Sequence, residues 1–140
     1  MADVHEPEVR SYNMSQIKGK NTKPEIMVRK FLHSKGFRYR LQDKKLSGKP
    51  DIVLKKYKTV IFIHGCFWHG HENCKYYVIP KTRTQWWIDK ISRNKLNDKK
   101  AVISLKEQGW RIITVWECEL KPANRYGTLN LLIQKLSEFS

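Results

Sequence analysis

The reactive side chains of this sequence crowd into the stretch from Pro50 to Cys74: Asp51, then His64, Cys66, Phe67, Trp68, His69, His71 and Cys74. Two kinds of chemistry suit them. Cys66-x4-His71-x2-Cys74, completed by the distant Cys118, supplies three sulfurs and one imidazole, the closed tetrahedral set of structural zinc. All three cysteines of the chain are used, and an odd number excludes a complete intramolecular disulfide framework. A bland alternative, reduced and partly buried cysteines beside a chance histidine, stays open at this point. The second chemistry is hydrolysis. Asp51, with a backbone carbonyl such as that of Ile63, offers hard oxygens to Mg²⁺. His69 is the candidate general base, Asp98 a carboxylate able to orient its imidazole, and His64 a hydrogen-bond partner for a phosphate. A single histidine is more often a satisfied structural residue; clustering with Asp51 is what turns the argument toward catalysis.

Two neighbouring strands must hold these groups. Pro50-Asp51 opens an apolar segment, Ile52-Val53-Leu54. A basic turn over 55–58 follows, and Thr59-Val60-Ile61-Phe62-Ile63 then runs straight into His64. Both segments are rich in β-branched residues, and Pro50 fits only the start of a strand. Upstream, Thr22-Lys23-Pro24-Glu25 is a T-x-x-E capping box. Met27, Val28, Phe31 and Leu32 then recur at helical spacing until Gly36. Capping accounts for Glu25 without catalysis, and His33 reads as a surface or core histidine. Phe37, Tyr39 and Leu41 alternate with polar residues, which predicts a half-exposed strand over 37–42, followed by a turn over 43–49.

Residues 75–83 read as irregular connection. Thr84 is the predicted N-cap of a helical pattern running to about Gln108, with Trp87, Ile88, Ile91, Lys95, Asp98, Val102 and Leu105 roughly along one face. Its length, with Asn94, Asn97 and Asp98 in the middle, predicts two helices or a kink. A β-rich run from Trp110 to Trp116 leads to Glu117-Cys118-Glu119, and a closing helix occupies 123–138. The order α-β-β-β-α-β-α predicts an α/β three-layer sandwich, a central mixed sheet of four or five strands with helices on both faces. The chain reads as a single domain over 1–140, without repeat or linker. Residues 1–21 are a polar arm bearing Arg10, Lys18 and Lys20. The arm is either a frayed terminus or a segment laid along a DNA groove with Met14 and Ile17 as apolar wedges.

Charge identifies the partner class. Lys+Arg 28 against Asp+Glu 13 leaves +15 over 140 residues, an excess that favours a polyanion because each neutralised phosphate releases condensed counterions. Basic solubility or an anionic membrane surface are the weaker alternatives, and no basic amphipathic stretch is long enough to favour the membrane. No run of 18 apolar residues and no signal-peptide h-region are present, so the expectation is neither membrane insertion nor export.

Pro-Asp at the start of one strand, with a second strand pairing back on it, resembles the layout of PD-(D/E)xK nucleases. There, two acids and a lysine on adjacent strands hold Mg²⁺ and a water. Here the second strand offers Phe62-Ile63-His64, neither acid nor lysine, so either the site is dead or other residues have taken over. At these residues the chain closely resembles the very-short-patch-repair mismatch endonucleases, the Vsr family. The matching motifs are Arg10-Ser11-Tyr12-Asn13-Met14-Ser15-Gln16-Ile17, Gly48-Lys49-Pro50-Asp51, Ile61 through His64-Gly65-Cys66-Phe67-Trp68-His69, Pro80-Lys81-Thr82-Arg83-Thr84, and Gly109-Trp110-Arg111 through Val115-Trp116-Glu117-Cys118. They run in the same order over roughly Met1 to Leu120. Two departures exist: Ile63 stands where threonine is expected, which is immaterial to a carbonyl ligand, and the segment between His71 and Cys74 is one residue longer than usual.

The resemblance implies a PD-(D/E)xK restriction-endonuclease-like core plus a structural zinc site. It implies Mg²⁺ on Asp51 and the Ile63 carbonyl, His69 as base paired with Asp98, Glu25 at the metal's water and His64 at the phosphate. Zn²⁺ would sit on Cys66, His71, Cys74 and Cys118. Phe67, Trp68 and Trp87 resemble an aromatic wedge that enters the base stack beside a T:G mismatch, with Met14 and Ile17 on the minor-groove side. Lys90 and Asn94 are further candidates for base contacts. The wedge has a rival reading as core aromatics, against which Trp68, next to His69 and Gly70, argues for exposure. The implied function is a Mg²⁺-dependent, strand-specific endonuclease that nicks double-stranded DNA 5′ to the thymine of a T:G mismatch. Such nicking initiates very short patch repair of deaminated 5-methylcytosine. The implied setting is a monomer in the bacterial cytoplasm at the nucleoid, with mismatch-repair proteins as further partners. Two alternatives stay open: a zinc-stabilised DNA-binding module without catalysis, and a restriction-type nuclease that cuts fully paired DNA.

Overall fold

A computed structural model describes residues 22–138; the predicted arm over 1–21, with Met14 and Ile17, lies outside them. Helix α1 (Lys23–Ser34) begins where the capping box predicts: the Thr22 hydroxyl accepts from the Glu25 backbone N–H at 3.4 Å. Strands β1 (Arg40–Leu41), β2 (Ile52–Leu54) and β3 (Thr59–His64) form an antiparallel meander. A single turn of 3₁₀-helix, Lys55–Tyr57, joins β2 to β3. Helix α2 (Thr84–Glu107) carries the chain over to β4 (Arg111–Trp116), which pairs parallel to β3, and α3 (Arg125–Ser137) closes the fold. The sheet is mixed and four-stranded, in the order β1-β2-β3-β4. No described helix is long and apolar enough to cross a membrane.

Strand alternation divides the core. Ile52, Leu54, Ile61, Ile113 and Val115 meet Val28 and Leu32 of α1 and Leu129, Leu132 and Leu136 of α3 on one face. Val53, Val60 and Phe62 meet Leu105 of α2 on the other. Helices therefore cover both faces, as the element order predicts.

Three local expectations fail, each for a physical reason. Helix α2 is one unbroken element of 24 residues, because the mid-helix polar side chains that predicted a break reach off the helix to partners elsewhere. Asn94 donates to the Trp68 carbonyl at 2.8 Å and Asp98 pairs with His69. Thr84 is the first helical residue rather than the cap. The cap is Arg83 at φ +56°, and the Thr84 hydroxyl donates back to the Pro80 and Lys81 carbonyls. The strand predicted over 37–42 shrinks to Arg40–Leu41. Phe37 and Tyr39 serve packing instead: both lie against the first core, and the Tyr39 hydroxyl donates to the Arg29 carbonyl.

Candidate active site and metal centre

The same alternation aims the chemistry. Val60 and Phe62 face α2, so His64, two residues on, ends β3 on that side; Asp51 precedes Val53 with the same parity. They open onto a cleft of about 690 Å³ between the sheet end and α2 that is also lined by Glu25, His69, Lys90 and Asp98. Five residues assigned catalysis from sequence therefore share one concavity: Asp51, His64, His69, Asp98 and Glu25.

Asp51 is held by its own fold. Its Oδ2 accepts the Ile63 backbone N–H at 2.7 Å; the N–H and C=O of one strand residue point to the same side, so the Ile63 carbonyl is directed to the side on which Asp51 lies. Burial pushes the Asp51 carboxyl up to about 7; the Ile63 hydrogen bond opposes this, and the charge and hydrogen bond of Glu25 add to it. Glu25 itself is 4% exposed, and the Gln42 amide donates to its Oε2 at 3.3 Å. Two carboxyls this close, one tied down by a backbone N–H, resist joint ionisation unless a cation joins them. Hard oxygens of this kind fit Mg²⁺. Capping thus explains the Glu25 backbone but not its buried side chain.

The two histidines are stacked. The rings of His64 and His69 lie 3.8 Å apart and 3° from parallel. His69 Nδ1 meets Asp98 Oδ2 at 2.7 Å, so an ionised Asp98 fixes the Nδ1–H tautomer and leaves Nε2 with its lone pair. Burial, and next the His69 charge, drop His64 to about 3 against the pull of Asp98. His64 is therefore a neutral hydrogen-bonding group at physiological pH, and its buried Nδ1 has no hydrogen-bond partner.

The metal clamp follows from β3 and β4 being parallel and in register. His64 is opposite Trp116, so the residues just past each strand end, Cys66 and Cys118, meet: the Cys118 backbone N–H donates to Cys66 Sγ at 3.3 Å. A tight turn brings His71 back, its N–H donating to the Cys66 carbonyl at 2.9 Å. Ligand atoms of Cys66, His71, Cys74 and Cys118 all lie within 4.8 Å of one another. A tetrahedral zinc–thiolate site has ligand separations of about 3.5–3.8 Å, so the four need to close only slightly. Burial raises the Cys66 and Cys118 thiols, a cost that metal binding, by displacing the protons, would reverse. The His71 ring is stacked on Trp116 at 4.0 Å, which fixes its plane.

The aromatic candidates differ from expectation. Trp68 is 9% exposed rather than open to solvent, packed with Phe67 and Trp87 on Ile91 of α2. The sequence neighbours His69 and Gly70 misled, because Gly70, at φ +60°, turns the chain so that the tryptophan faces the helix. The Trp68 indole N–H is buried without a partner. Exposure belongs instead to Trp86, 45% open, with the Arg83 guanidinium over its ring at 4.8 Å. Lys90 and Asn94 both line the cleft, and the Asn94 amide also donates to the Trp68 carbonyl. Sequence reasoning missed three cleft residues, Gln42, Lys44 and Lys49; the adjacency of Lys49 to Pro50-Asp51 was the available signal.

Comparison with known proteins gives a consistent picture. A family model described as DNA mismatch endonuclease Vsr matches residues 2–75. The chain is 50% identical over 139 residues to the type II nicking enzyme V.NmeAIP of Neisseria meningitidis, covering 99% of each. It is 48% identical over 120 residues to the type II nicking enzyme V.XorIIP of Xanthomonas oryzae, covering 86% of this chain and 88% of that one. To the DNA mismatch endonuclease Vsr of Escherichia coli it is 41% identical over 139 residues, covering 99% of this chain and 88% of that one.

Proposed function

Because the chain belongs to the DNA mismatch endonuclease Vsr family and is thereby a DNA endonuclease, we propose that it nicks one strand of mismatched double-stranded DNA. The cut falls 5′ to the thymine of a T:G pair and opens repair of a deaminated 5-methylcytosine. The observation that carries this reading is the His69–Asp98 pair, 2.7 Å apart, set in the same cleft as Asp51 and Glu25. A DNA-binding module without catalysis has no use for an oriented imidazole in one cleft with a buried Glu25 and a half-buried Asp51. The names of two relatives, both type II nicking enzymes, favour cleavage of a single strand.

The residues divide the work. His69 Nε2 takes the proton of the attacking water as its oxygen bonds phosphorus; the bond from phosphorus to the 3′ oxygen breaks and that oxygen takes a proton from solvent, leaving 3′-hydroxyl and 5′-phosphate ends. Asp98 stabilises the imidazolium that forms. His64, neutral, donates a ring N–H to a phosphate oxygen. Magnesium held by Asp51 and the Ile63 carbonyl, with Glu25 nearby, would neutralise charge building on the phosphate and acidify water. Zinc on Cys66, His71, Cys74 and Cys118 is structural, and the PD-(D/E)xK core, a single catalytic domain and a monomeric state belong to the same reading. Phe67, Trp68 and Trp87 would unpack to stack on bases beside the mismatch, with Lys90 and, from the arm, Met14 and Ile17 assisting.

The test is a T:G duplex incubated with the protein and Mg²⁺, alongside its fully paired counterpart. One nicked strand in the mismatched duplex only is expected, and Asp51→Ala and His69→Ala should abolish nicking while leaving binding. Equal cutting of paired DNA would favour a restriction-type nuclease. Full-rate cutting by both variants would overturn the assignment.

A further inference from the structure

The loop over 43–48 is clamped by two non-glycine residues in the left-handed region, Gln42 at φ +47° and Lys49 at φ +48°. Such conformations cost energy in non-glycine residues and persist only where the surroundings enforce them. The enforcement is visible. Gly48 lies so close to α2 that a Cβ there would stand 2.6 Å from Ala101 Cβ, and Ser47 Oγ meets Ser104 Oγ at 2.8 Å. Both clamp residues line the catalytic cleft. Gln42 has a visible use, since it holds Glu25; among the described residues no carboxylate pairs with Lys49. Its backbone is therefore fixed by the loop, and its exposed, charged side chain lines the cleft.

The cleft needs that charge. Asp51, Glu25 and Asp98 line it, β3 contributes Phe62-Ile63-His64 with no cation, and a phosphodiester must enter. Of the three lysines present, Lys44 lies within the turn, seven residues before Asp51, and Lys90 lies on α2. Lys49 alone is rigidly anchored two residues from Asp51. We propose that Lys49 is the residue whose ammonium holds a non-bridging oxygen of the phosphate being cut and stabilises the negative charge that builds there during attack. The inference rests on the nicking function proposed above.

Single-turnover nicking of a T:G duplex at saturating protein and Mg²⁺ tests it, with duplex affinity measured separately in Ca²⁺. Lys49→Gly suits the backbone, since glycine takes φ +48° without strain, and should melt no lower than the wild type. It is expected to nick on the order of 100-fold more slowly, with affinity changed by roughly threefold or less, and Lys49→Arg should recover most of the rate. A Lys49→Gly chain that nicks at the wild-type rate when saturated, whatever its affinity, overturns the proposal, as does an arginine variant as slow as the glycine one. If the wild-type chain itself leaves the T:G duplex intact, the underlying function fails rather than the lysine alone.

Discussion

Replacing Asp51 with asparagine should stabilise the Mg²⁺-free protein while destroying its nicking activity. Burial and the neighbouring Glu25 lift the Asp51 carboxyl from 3.8 to about 7. The folded state thus binds a proton more tightly than the unfolded state, and stability falls as pH rises through that window. Below 3.8 both states are protonated and the group contributes nothing; above 7 the penalty is complete. At ~1.4 kcal/mol per tenfold change in proton affinity, the full penalty is at most ~4 kcal/mol. Asparagine keeps the shape and can still accept the Ile63 N–H, but a neutral acceptor makes a weaker bond by ~1 kcal/mol. A net gain of up to ~3 kcal/mol is expected, or roughly 10 °C in Tm for a chain of this size.

Thermal melts of both proteins at pH 8 and pH 5.5 check this, in buffer free of added divalent ions but without chelator, so that zinc stays bound. The gain from asparagine should shrink to about half at pH 5.5, where the folded carboxyl is largely protonated. Adding Mg²⁺ at pH 8 should raise the wild-type Tm much more than that of the variant, because the variant lacks the anionic ligand at position 51. An asparagine variant that melts below the wild type at pH 8, or whose advantage is the same at both pH values, would refute the argument that burial, with Glu25 beside it, penalises the ionised Asp51 carboxylate.

Asp98→Asn, which removes the carboxylate 2.7 Å from His69 Nδ1, should slow single-turnover nicking by roughly 10²–10⁴-fold at nearly unchanged affinity for the mismatched duplex. Cys118→Ser should lower the zinc content measured by elemental analysis and cost several kcal/mol of stability; full zinc occupancy would remove Cys118 from the ligand set. Gly70→Ala, at φ +60° with its Cβ 2.8 Å from Ile91 Cγ2, should destabilise by about 1–3 kcal/mol in urea unfolding.

Whether a feature could be read from the sequence depended on how local its cause was. The Thr22 cap, the β-branched runs of β2 and β3 and the leucines of α3 act within a few residues, so the element order emerged correctly. So did the convergence of Cys66 and Cys118, because residues just beyond two adjacent strand ends must meet once β3 and β4 pair. What escaped had distant causes. Asn94 and Asp98 read as helix breakers when considered alone, and become neutral to the helix once Asn94 donates to the Trp68 carbonyl and Asp98 accepts from the His69 ring. Phe37 and Tyr39 alternate like strand residues, yet their backbones lie outside the sheet while their rings fill the core. Trp68 was misjudged because exposure was inferred from neighbours in sequence, whereas a left-handed glycine two residues later decides which way the ring points.

The catalytic cleft and the cysteine cluster are parts of one device. Cys66 and His71 are the two ends of a six-residue turn, and His69 rides between them, its N–H donating to the Gly65 carbonyl while that of His71 donates to Cys66. A metal that fixes both ends of this turn therefore also fixes the backbone from which the imidazole projects. Asp98 secures the same ring from α2, and His64 stacks flat against it from β3. Three independent elements thus constrain one side chain, two by side-chain contact and one through the backbone. A mismatch enzyme has particular need of this, since the aromatic residues next to His69 in sequence, Phe67 and Trp68, would have to leave Ile91 to reach a base. Anchoring the turn at Cys66 and His71 confines such a movement to side chains, so the neighbouring tryptophan can swing without displacing the His69 imidazole proposed as the base.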